Sequence, residues 1–571
     1  MKIQSKKKED RFTLQVDVPC MFACPARTNI PEYIHAITNG DYNNSYFINQ
    51  AKNVFPGSLG RVCTRPCEDA CRHGYAGYGE SVSICRLKRS SADYKVNFKP
   101  PVKKQRTTGK NVAVIGGGPA GLAACRDLLL FGHRVTIFES SSQLGGMMPL
   151  AIPRFRLPGK VIQDDISLIL DLGLKTRMNT TLGKDIFLDE CLQQYDAVLL
   201  AVGCQKPYRL GVPGEDLKGV YSGLQFLMDI VGQKRLHVGK KSLVIGGGYT
   251  AVDCARALIR LGVPNVTMIF WKTPENLTLD KEEMHHLEIE DVSIRYLTTV
   301  DAFIEGENQV LEKVNLVRTR MDNNKVIPIK DSVKSEKFDS AIVCIGQGAL
   351  GKPFIQDAYQ ACFRNERLTV NQDTFMSSQK GLFGAGDYVN QTRSIIDAIG
   401  DGRKAALGIH AYLTNTGVKS PIVQITTSKN TNRKRTDDFI PRVREKNTLG
   451  QSIPHMNLEV NCGFTKSESQ TESKRCYLCH QHYEIDLDNC IYCMRCIDEA
   501  PVDCIKQILH LGHFRNGKRE YIESDQWNEI GAIYIDNDVC VRCGKCLEVC
   551  PTRCISVSQY TLVDQLFGDK A

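Results

Sequence analysis

Asn111-Val-Ala-Val-Ile-Gly-Gly-Gly-Pro-Ala-Gly121 decides the fold of the central part of this chain of 571 residues. The run joins a β-branched strand to glycines spaced Gly-x-Gly-x-x-Gly, and the apolar stretch Leu122–Leu130 behind it predicts a helix. Glycines allow a tight turn and close backbone approach, while the helix N-terminus faces the pyrophosphate of a dinucleotide. An acid at the end of the next strand accepts a ribose hydroxyl. The residues predicted to bind this dinucleotide are Gly116, Gly118, Pro119, Ala120, Gly121 and Glu139.

A second fingerprint, Gly246-Gly-Gly-Tyr-Thr-Ala251, follows the strand-like run Leu243–Ile245. Its next strand ends in Phe270-Trp-Lys272 and carries no carboxylate. The missing acid and the lysine favour the 2′-phosphate of NADP over the free hydroxyl of NAD. The alternative is a vestigial nucleotide fold that binds nothing. The predicted nicotinamide-dinucleotide residues are Gly246, Gly248, Tyr249, Thr250, Ala251, Trp271 and Lys272.

Further β-branched runs alternate with helical segments through the middle of the chain. Such alternation predicts doubly wound parallel sheets and an α/β fold class. The runs are Val112–Ile115, Val135–Phe138, Ala197–Leu200, Leu243–Ile245, Val266–Ile269 and Ala341–Val343.

Two cysteine runs near the C-terminus predict a ferredoxin-like domain. Cys540-x₂-Cys543-x₂-Cys546-x₃-Cys550-Pro551 has the spacing of bacterial ferredoxins, and Cys490-x₂-Cys493-x₂-Cys496 is an imperfect copy. Zinc ribbons also use Cys-x₂-Cys pairs, but they seldom place three such cysteines in succession before Cys-Pro. The runs therefore predict [4Fe–4S] clusters, which carry single electrons.

The imperfect copy leaves one of these clusters short of a ligand. Cys490, Cys493, Cys496 and Cys550 complete a first cluster. Cys540, Cys543 and Cys546 need a fourth ligand, because Ala500 stands where the missing cysteine is expected. The candidates are Cys504, Cys476 and Cys479. For Cys504 the alternative is core packing, since Pro501-Val-Asp-Cys504 matches Pro551-Thr-Arg-Cys554.

Composition restricts the class and location of the protein. The 24 cysteines form local groups in a chain that begins MKIQSKKKED without an apolar signal region, which favours thiolate ligands in a reducing cytoplasm. No apolar stretch is long enough to span a membrane. The net charge of +9 draws on Lys6–Lys8 and Arg433–Arg435, but no nucleic-acid-binding module accompanies these runs. They are interpreted as solvated surface, and docking of an acidic ferredoxin or partner subunit stays open.

These patterns predict five segments. Residues 1–105 form a helical iron–sulfur domain, residues 106–238 with 335–414 form a first dinucleotide-binding domain, and residues 239–334 form a second one. A family resemblance, given below with its motifs, implies that the first is an FAD-binding domain and that the second is an NAD(P)-binding domain inserted into it. Residues 415–474, rich in Ser, Thr, Asn, Lys and Arg, are predicted to be an extended linker. Residues 475–571 form the ferredoxin-like domain, an electron port on that tether.

The two fingerprints, together with Gly381-Leu-Phe-Gly-Ala-Gly-Asp387, resemble the flavoproteins with two dinucleotide-binding domains. Across residues 14–410 the chain is similar to the glutamate synthase small subunit, a module also found in dihydropyrimidine dehydrogenase and ferredoxin-dependent transhydrogenase. The motifs that carry this resemblance are Gly60–Cys63, Gly145–Gly146, Ile152–Pro158, Val212–Glu215, Thr250–Asp253 and Ile345–Gln347. The resemblance implies that Asp387 bonds the flavin ribityl chain and that Arg156 contacts FAD. The resemblance adds five residues to the predicted cofactor-binding set, namely Gly146, Arg156, Gly346, Gly386 and Asp387.

The chain departs from that family at the coenzyme clamp. Two adjacent basic residues usually hold the 2′-phosphate, whereas Trp271-Lys272 stands here, so NAD becomes credible beside NADP. Tyr249 replaces the usual asparagine.

A second departure concerns the N-terminal cysteines. The family motif Cys-x₂-Cys-x₄-Cys-x₃-Cys-Pro begins here only at Cys20-x₃-Cys24-Pro25, so half of the ligands of one cluster are missing. We expect a single [4Fe–4S] cluster beside the flavin, and about three clusters in the whole chain. Its predicted ligands are Cys24, Cys63, Cys67 and Cys85, and either Cys20 or Cys71 can exchange into the set.

A nicotinamide site, FAD and clusters together define an exchange between electron pairs and single electrons. The sequence predicts an NAD(P)H oxidoreductase subunit in which FAD, rather than a catalytic side chain, takes the hydride. Its expected partners are ferredoxin or the redox subunits of a transhydrogenase, bifurcating, hydrogenase or formate dehydrogenase complex. The rival hypothesis is a non-catalytic electron-wiring subunit whose nicotinamide site binds nothing, and it rests on Trp271 and Thr278.

Overall fold

The structure is a computed structural model, and it describes most of the chain. The described residues are 18–74, 79–100, 104–277, 279–323, 325–349, 357–390, 394–418, 422–428, 456–515 and 518–563. Lys6–Lys8, Thr278 and Arg433–Arg435, on which sequence interpretations were based, lie outside them. No helix among the described residues combines the length and apolar character needed to cross a membrane.

The N-terminal part is built from six short helices. Most of them carry proline in the first turn, where the missing N–H breaks no helical hydrogen bond. Their apolar faces bury Tyr33, Ile34, Phe55 and Leu59 completely. Because the helices are short, their ends bring the cysteines close to this core. The helices are α1 Pro19–Ala23, α2 Ile30–Thr38, α3 Tyr42–Asn53, α4 Pro56–Val62, α5 Pro66–Asp69 and α6 Ile84–Tyr94.

The flavin-type sheet begins directly after this helical part. Its central strand β1 is buried on both faces and pairs in parallel with β2 and β4, as β-branched runs of this kind predict. The elements are β1 Asn111–Ile115, α7 Pro119–Leu130, β2 Arg134–Phe138, α8 Met147–Leu150, α9 Gly159–Leu170, β3 Lys175–Arg177, α10 Leu188–Gln194 and β4 Ala197–Leu200.

A second parallel sheet follows and carries an antiparallel hairpin layer. Its strand order is β6-β14-β7-β8-β9, while β10 to β13 form the separate layer. Two strands of the parallel sheet, β6 and β14, lie in ranges predicted for the flavin domain, because a strand run in the sequence does not show which sheet the strand will join. The elements are β5 Lys206–Pro207, β6 Val220–Ser222, α11 Gly223–Val231, β7 Lys241–Ile245, α12 Tyr249–Arg260, β8 Asn265–Phe270, α13 Lys281–Ile289, β9 Ser293–Tyr296, β10 Thr298–Glu305, β11 Leu311–Asp322, β12 Lys325–Pro328, β13 Lys334–Lys337 and β14 Ser340–Val343.

The chain then returns to the first sheet and completes it. The strand order becomes β18-β4-β1-β2-β3, which confirms the predicted α/β class with doubly wound parallel sheets. Helix α14 lies against α7, and the contact is close enough that a Cβ on Gly402 would stand 2.1 Å from the Ala120 carbonyl oxygen. The elements are β15 Gln347–Gly348, β16 Phe363–Arg364, β17 Arg367–Leu368, β18 Leu382–Gly384 and α14 Ile395–Thr414.

The C-terminal part contains two small antiparallel sheets. Their strand orders are β19-β24-β20 and β22-β21-β23, and the cysteine runs lie between strands. The elements are β19 Ile422–Ser428, α15 Lys466–Ser473, β20 Gln481–Ile485, α16 Arg495–Asp498, β21 Ile505–Arg515, β22 Lys518–Glu523, β23 Ala532–Ile535, α17 Lys545–Val549 and β24 Ile555–Val563.

The prediction of an extended linker over 415–474 is wrong for its described residues. Strand β19 pairs with β24, and α15 is docked on the N-terminal helices. Tyr42 lies within 2.8 Å of the Ser469 hydroxyl, and the Tyr94 hydroxyl donates to the Phe464 carbonyl at 2.6 Å. The segment has few apolar residues, so its composition is typical of a linker. It is held by buried serines and polar contacts, which a composition argument misses.

Candidate flavin, nicotinamide and iron–sulfur sites

The first fingerprint has the geometry that a dinucleotide pyrophosphate requires. Gly116 has φ +108°, and a Cβ there would stand 2.4 Å from the Ala201 carbonyl oxygen. A Cβ on Gly121 would come within 2.0 Å of the Gly116 oxygen. Gly118 instead faces open space, with the Gly146 Cα as its nearest neighbour at 3.9 Å. This opening lies where α7 begins at Pro119, so the residues fit a phosphate group.

Glu139 is positioned by the fingerprint itself. Its Oε2 accepts a hydrogen bond from the Gly117 N–H at 2.7 Å, and its Oε1 accepts one from the Ser141 N–H at 2.7 Å. The side chain is buried at the end of β2. A carboxylate fixed in this place is the group that binds a ribose hydroxyl in such folds.

Asp387 is brought to the same fingerprint by a neighbouring glycine. It lies in a 3₁₀ turn over Gly386–Tyr388 that is packed against α14. Gly386 has φ +69°, and a Cβ there would stand 2.9 Å from the Ala120 Cβ. The predicted flavin residues Ala120, Gly386 and Asp387 are therefore neighbours in space.

The second fingerprint repeats this geometry in the other parallel sheet. A Cβ on Gly246, at φ +140°, would stand 2.3 Å from the Cys344 carbonyl oxygen, whereas Gly248 faces open space. Helix α12 begins at Tyr249 beside that opening, followed by Thr250, and Ala251 is fully buried. Gly346 has φ +105°, and its carbonyl accepts from the Tyr208 N–H at 3.0 Å.

Tyr249 and Arg156 meet at the mouth of this second site. The Arg156 guanidinium lies 5.6 Å from the centre of the Tyr249 ring. Burial and the nearby Asp280 raise the pKa of Tyr249 to about 12, so its hydroxyl stays protonated. Arg156 pairs with Asp253 at 2.6 Å and with Glu283, both in the nicotinamide-type domain. The expected contact between Arg156 and FAD stays a prediction.

The coenzyme clamp residues lie at the end of β8. The Trp271 carbonyl accepts from the Thr319 hydroxyl at 2.7 Å, and the Lys272 carbonyl accepts from the Leu297 N–H at 3.2 Å. The backbone is thus fixed to the β10–β11 layer, and the Trp271 side chain is 37% exposed.

Three of the predicted ligands, Cys24, Cys63 and Cys67, line a small cavity of about 10 Å³, and Cys85 lies beside them; this group is here called site A. The Cys85 thiol is hydrogen-bonded to both Cys63 and Cys67. A hydrogen bond with Cys85 and burial raise the pKa of Cys63 well above its usual value. Thiols in this environment ionise readily only when metal ions compensate their charge, which fits cluster binding. Site A consists of Cys24, Cys63, Cys67 and Cys85.

Lys88 is a component of site A that the sequence analysis missed. Its side chain lines the same cavity and is 4% exposed. Burial by itself would lower the pKa of Lys88, but the neighbouring thiols of site A raise it above its usual value. Lys88 therefore keeps a positive charge beside the ligands. Its position three residues after Cys85 on one helix was the available signal.

The remaining N-terminal cysteines join the Cys-x₂-Cys pair that precedes β20. Together they line a cavity of about 20 Å³, here called site B. Burial raises the pKa of Cys20 well above its usual value, and thiolates at the three neighbouring cysteines raise it further. Site B consists of Cys20, Cys71, Cys476 and Cys479.

The ferredoxin-like part contains two further cysteine groups. In the group called site C, a hydrogen bond from Cys504 lowers the pKa of Cys540 to about 6 although burial opposes this. The structure therefore places Cys504, rather than Cys476 or Cys479, beside Cys540. Site C consists of Cys504, Cys540, Cys543 and Cys546.

The second group, called site D, surrounds a cavity of about 20 Å³. It also contains Cys554, which the sequence analysis treated only as the counterpart of Cys504. The Cys554 sulfur lies 3.4 Å from the Cys550 sulfur. The repeat Pro551-Thr-Arg-Cys554 was the signal for it. Site D consists of Cys490, Cys493, Cys496 and Cys550, with Cys554 beside them.

All 24 cysteines lie in the described residues, and none of them forms a disulfide. Within the same residues, no three Cys, His, Asp or Glu side chains converge on a single metal-ion position. The thiols of sites A, B and D surround cavities instead.

Comparison with known proteins identifies the family. Residues 110–402 match the family described as pyridine nucleotide-disulphide oxidoreductase. Residues 3–99 match dihydropyrimidine dehydrogenase domain II, 4Fe-4S cluster, and residues 533–556 match the 4Fe-4S binding domain. The chain belongs to the pyridine nucleotide-disulphide oxidoreductase family, with iron–sulfur domains at both ends.

Three relatives illustrate this membership. The beta subunit of an NADP(+)-dependent formate dehydrogenase from Moorella thermoacetica is 33% identical over 441 residues, which are 72% of this chain and 62% of that one. The NADPH-Fe(3+) oxidoreductase subunit beta of Geobacter sulfurreducens is 30% identical over 517 residues, 82% and 76% of the two chains. The glutamate synthase [NADPH] small chain of Escherichia coli is 28% identical over 436 residues, which are 72% of this chain and 92% of that one. The chain thus spans less than two thirds of the formate dehydrogenase subunit.

The predicted resemblance and cofactor types are confirmed. The chain is an oxidoreductase that uses FAD, NAD(P) and [4Fe–4S] clusters. The choice between NAD and NADP, the individual ligands and the number of clusters stay predictions.

Proposed function

We propose that this chain takes a hydride from NAD(P)H and releases single electrons to ferredoxin or to a partner redox subunit. FAD, when bound, supplies the change from electron pairs to single electrons. The protein's part is to hold the two dinucleotides at the openings beside Gly118 and Gly248, and to place clusters next to the flavin domain.

One observation carries the proposal: the site A cavity reaches the flavin domain. Ile396, in the first turn of α14, lines this cavity together with the site A cysteines. The loop after Cys24 is pressed against the same helix, since a Cβ on Gly400 would stand 2.8 Å from the Pro25 oxygen. Because a Cβ on Gly386 would stand 3.8 Å from the Cβ of Ala398 on the same helix, a cluster in site A would lie close to the predicted flavin residues.

For the coenzyme we propose NADP, with NAD as the second candidate. Lys272 is the cation that follows β8, where a 2′-phosphate would lie. The three relatives are named as enzymes of NADP(+) or NADPH, which supports this choice.

Site D supports an electron exit toward a partner. Cys493 is exposed, and beside it Ile491 and Tyr492 are 61% and 37% exposed. Exposed apolar side chains around a ligand cysteine are suited to docking another protein. Two of the relatives are named as beta subunits, so we propose that this chain is a subunit of a larger redox complex in the cytoplasm. No nucleic-acid partner is proposed.

The second candidate is an electron-wiring subunit whose nicotinamide site binds nothing. It is favoured by the exposed Trp271 at the clamp. Anaerobic titration of the isolated chain with NADPH and NADH, followed by flavin absorbance, separates the two functions. We expect the flavin to bleach with NADPH at lower concentration than with NADH. A fully loaded protein that bleaches with neither coenzyme would establish the wiring subunit instead.

A further inference from the structure

Site B is assembled from two parts of the chain that are distant in sequence. Cys20 and Cys71 come from the N-terminal helices, while Cys476 and Cys479 precede strand β20. The latter two have the Cys-x₂-Cys spacing that lets two thiolates bind one metal centre.

The segment that supplies Cys476 and Cys479 is attached firmly to the N-terminal part. The Glu472 carboxylate is fully buried and accepts from the Ser83 N–H at 2.8 Å and from Arg475 at 2.6 Å. Arg475 also donates to the Ser81 carbonyl at 3.4 Å. These charge-assisted bonds fix the backbone immediately before Cys476.

The ferredoxin-like part is attached to the other side of site B. Arg542, between two cysteines of site C, donates to the Gln481 carbonyl at 2.8 Å and to the Cys479 carbonyl at 3.4 Å. Arg72, next to Cys71, pairs with Asp538 at 2.6 Å. Site B is therefore held from both sides and adjoins site C.

We propose that site B binds a fourth [4Fe–4S] cluster, in which Cys476 and Cys479 replace the ligand pair missing from the N-terminal motif. Its thiols line one cavity of about 20 Å³, as those of site D do. Within the described residues these thiols do not converge on a single metal-ion position, which a zinc ion would need, but surround a common space, as the ligands of a cubane do. Four thiolates are also the usual complement of one cubane.

The position of site B connects the flavin side to the ferredoxin side. Ile30 and Ile84 line both the site A cavity and the site B cavity, so the two cavities are neighbours. With clusters bound, site B would accept one electron from site A and give the same electron to site C, leaving its own charge unchanged. This order of transfer rests on the proposed function, but occupancy of site B by iron does not.

Metal content of the full-length chain tests the proposal. Protein purified and reconstituted without oxygen is analysed for iron, sulfide, zinc and FAD. We expect about sixteen irons per FAD in the wild type, and about twelve in Cys476→Ser/Cys479→Ser. Cys20→Ser/Cys71→Ser should give the same loss, and the fourfold variant should lose no more, because both pairs hold one cluster. Cys462→Ser, at an exposed cysteine in the same docked segment, is the matched control and should keep all the iron.

Several results would overturn the proposal. Wild-type protein with about twelve irons and no zinc contradicts a fourth cluster, even if the variants fold poorly. If the wild type contains about one zinc ion per chain and both double variants lose it, site B is a zinc site. Additive losses in the fourfold variant would show that the pairs belong to different centres. Flavin bleaching by NADPH is recorded on the same samples, so that failure of the proposed function is recognised separately.

Discussion

Lys88 is a buried cation in contact with the ligands of site A. A reduced cluster carries one more negative charge than an oxidised one, so a nearby ammonium favours reduction. At ~6 Å and an effective dielectric of ~20 the interaction is worth about 3 kcal/mol. For a one-electron couple this corresponds to a shift on the order of 100 mV.

We therefore expect Lys88→Met to lower the reduction potential of the cluster in site A by tens of millivolts to about 100 mV. Redox titration followed by electron paramagnetic resonance measures this potential. Lys88→Arg keeps the charge and is the control, with a potential near that of the wild type. An unchanged potential in Lys88→Met would show that the charge of Lys88 is screened from the cluster.

Lys272 gives the second prediction at the scale of single residues. Lys272→Glu replaces attraction to a 2′-phosphate by repulsion, so KM for NADPH should rise about tenfold more than KM for NADH. Lys240→Glu changes the same charge at an exposed lysine before the first residue of β7, whereas Lys272 follows the last residue of the parallel strand β8, and it is the control. Equal changes for both coenzymes in Lys272→Glu would remove the proposed role of this lysine.

At the scale of elements, the two cysteine loops of the ferredoxin-like part have the same backbone shape. Tyr492 and Arg542 occupy equivalent positions and have φ +53° and +57°. Met494 and Gly544 follow them with φ +61° and +82°. A methionine in this left-handed region costs about 1 kcal/mol or more, which the surrounding contacts must offset. The imperfect copy therefore keeps its ligand loop although one cysteine has become Ala500.

Helix α15 depends on polar contacts rather than on an apolar face. Glu472→Gln removes the charge that holds Arg475 and the Ser83 N–H, and should cost about 2 kcal/mol of local stability. Hydrogen exchange of residues 466–480 measures this, with an expected acceleration of roughly thirtyfold.

The control for this prediction is Glu468→Gln on the same helix. Glu468 forms the capping box with Thr465 at the partly exposed first turn, and its replacement should cost less than ~1 kcal/mol. If the backbone amides of residues 466–480 exchange at the same rate in both variants, the buried carboxylate of Glu472 is not what holds the helix.

At the scale of the whole molecule, the docked segment 456–480 joins the N-terminal helices to the ferredoxin-like part. Phe464 and Tyr477 belong to the same apolar core as Tyr33 and Phe55. Arg61 and Arg89 pair with Glu459 at 2.7 Å and 3.1 Å. Removing this segment exposes part of the N-terminal core, so the C-terminal region contributes to the folding of the N-terminal one.

Two shortened chains test this dependence. A chain ending at His480 keeps the segment and should hold about eight irons per FAD, in sites A and B. A chain ending at Thr414 loses half of the site B ligands and should hold about four, with faster proteolysis of the N-terminal helices. Equal iron content and equal proteolysis of the two chains would restore the interpretation of 415–474 as a tether.

Features that depend on contiguous residues could be predicted from the sequence. Gly116–Gly121, Gly246–Ala251 and the run Cys540–Cys550 each form one turn or loop, so their spacing by itself defines the local geometry. The cofactor types and the family followed from these motifs. The same reasoning failed for 456–474, because its contacts involve partners hundreds of residues away.

The sequence by itself determined the two parallel sheets, the dinucleotide fingerprints and the presence of clusters, because strands, tight turns and ligand loops are encoded over a few neighbouring residues. Only the tertiary structure placed Lys88 beside the thiols of site A and Cys504 beside Cys540. Only the tertiary structure also brought Cys476 and Cys479 to Cys20 and Cys71. These neighbours come together through the packing of separate segments around shared cores, and no short-range spacing records which segments will meet.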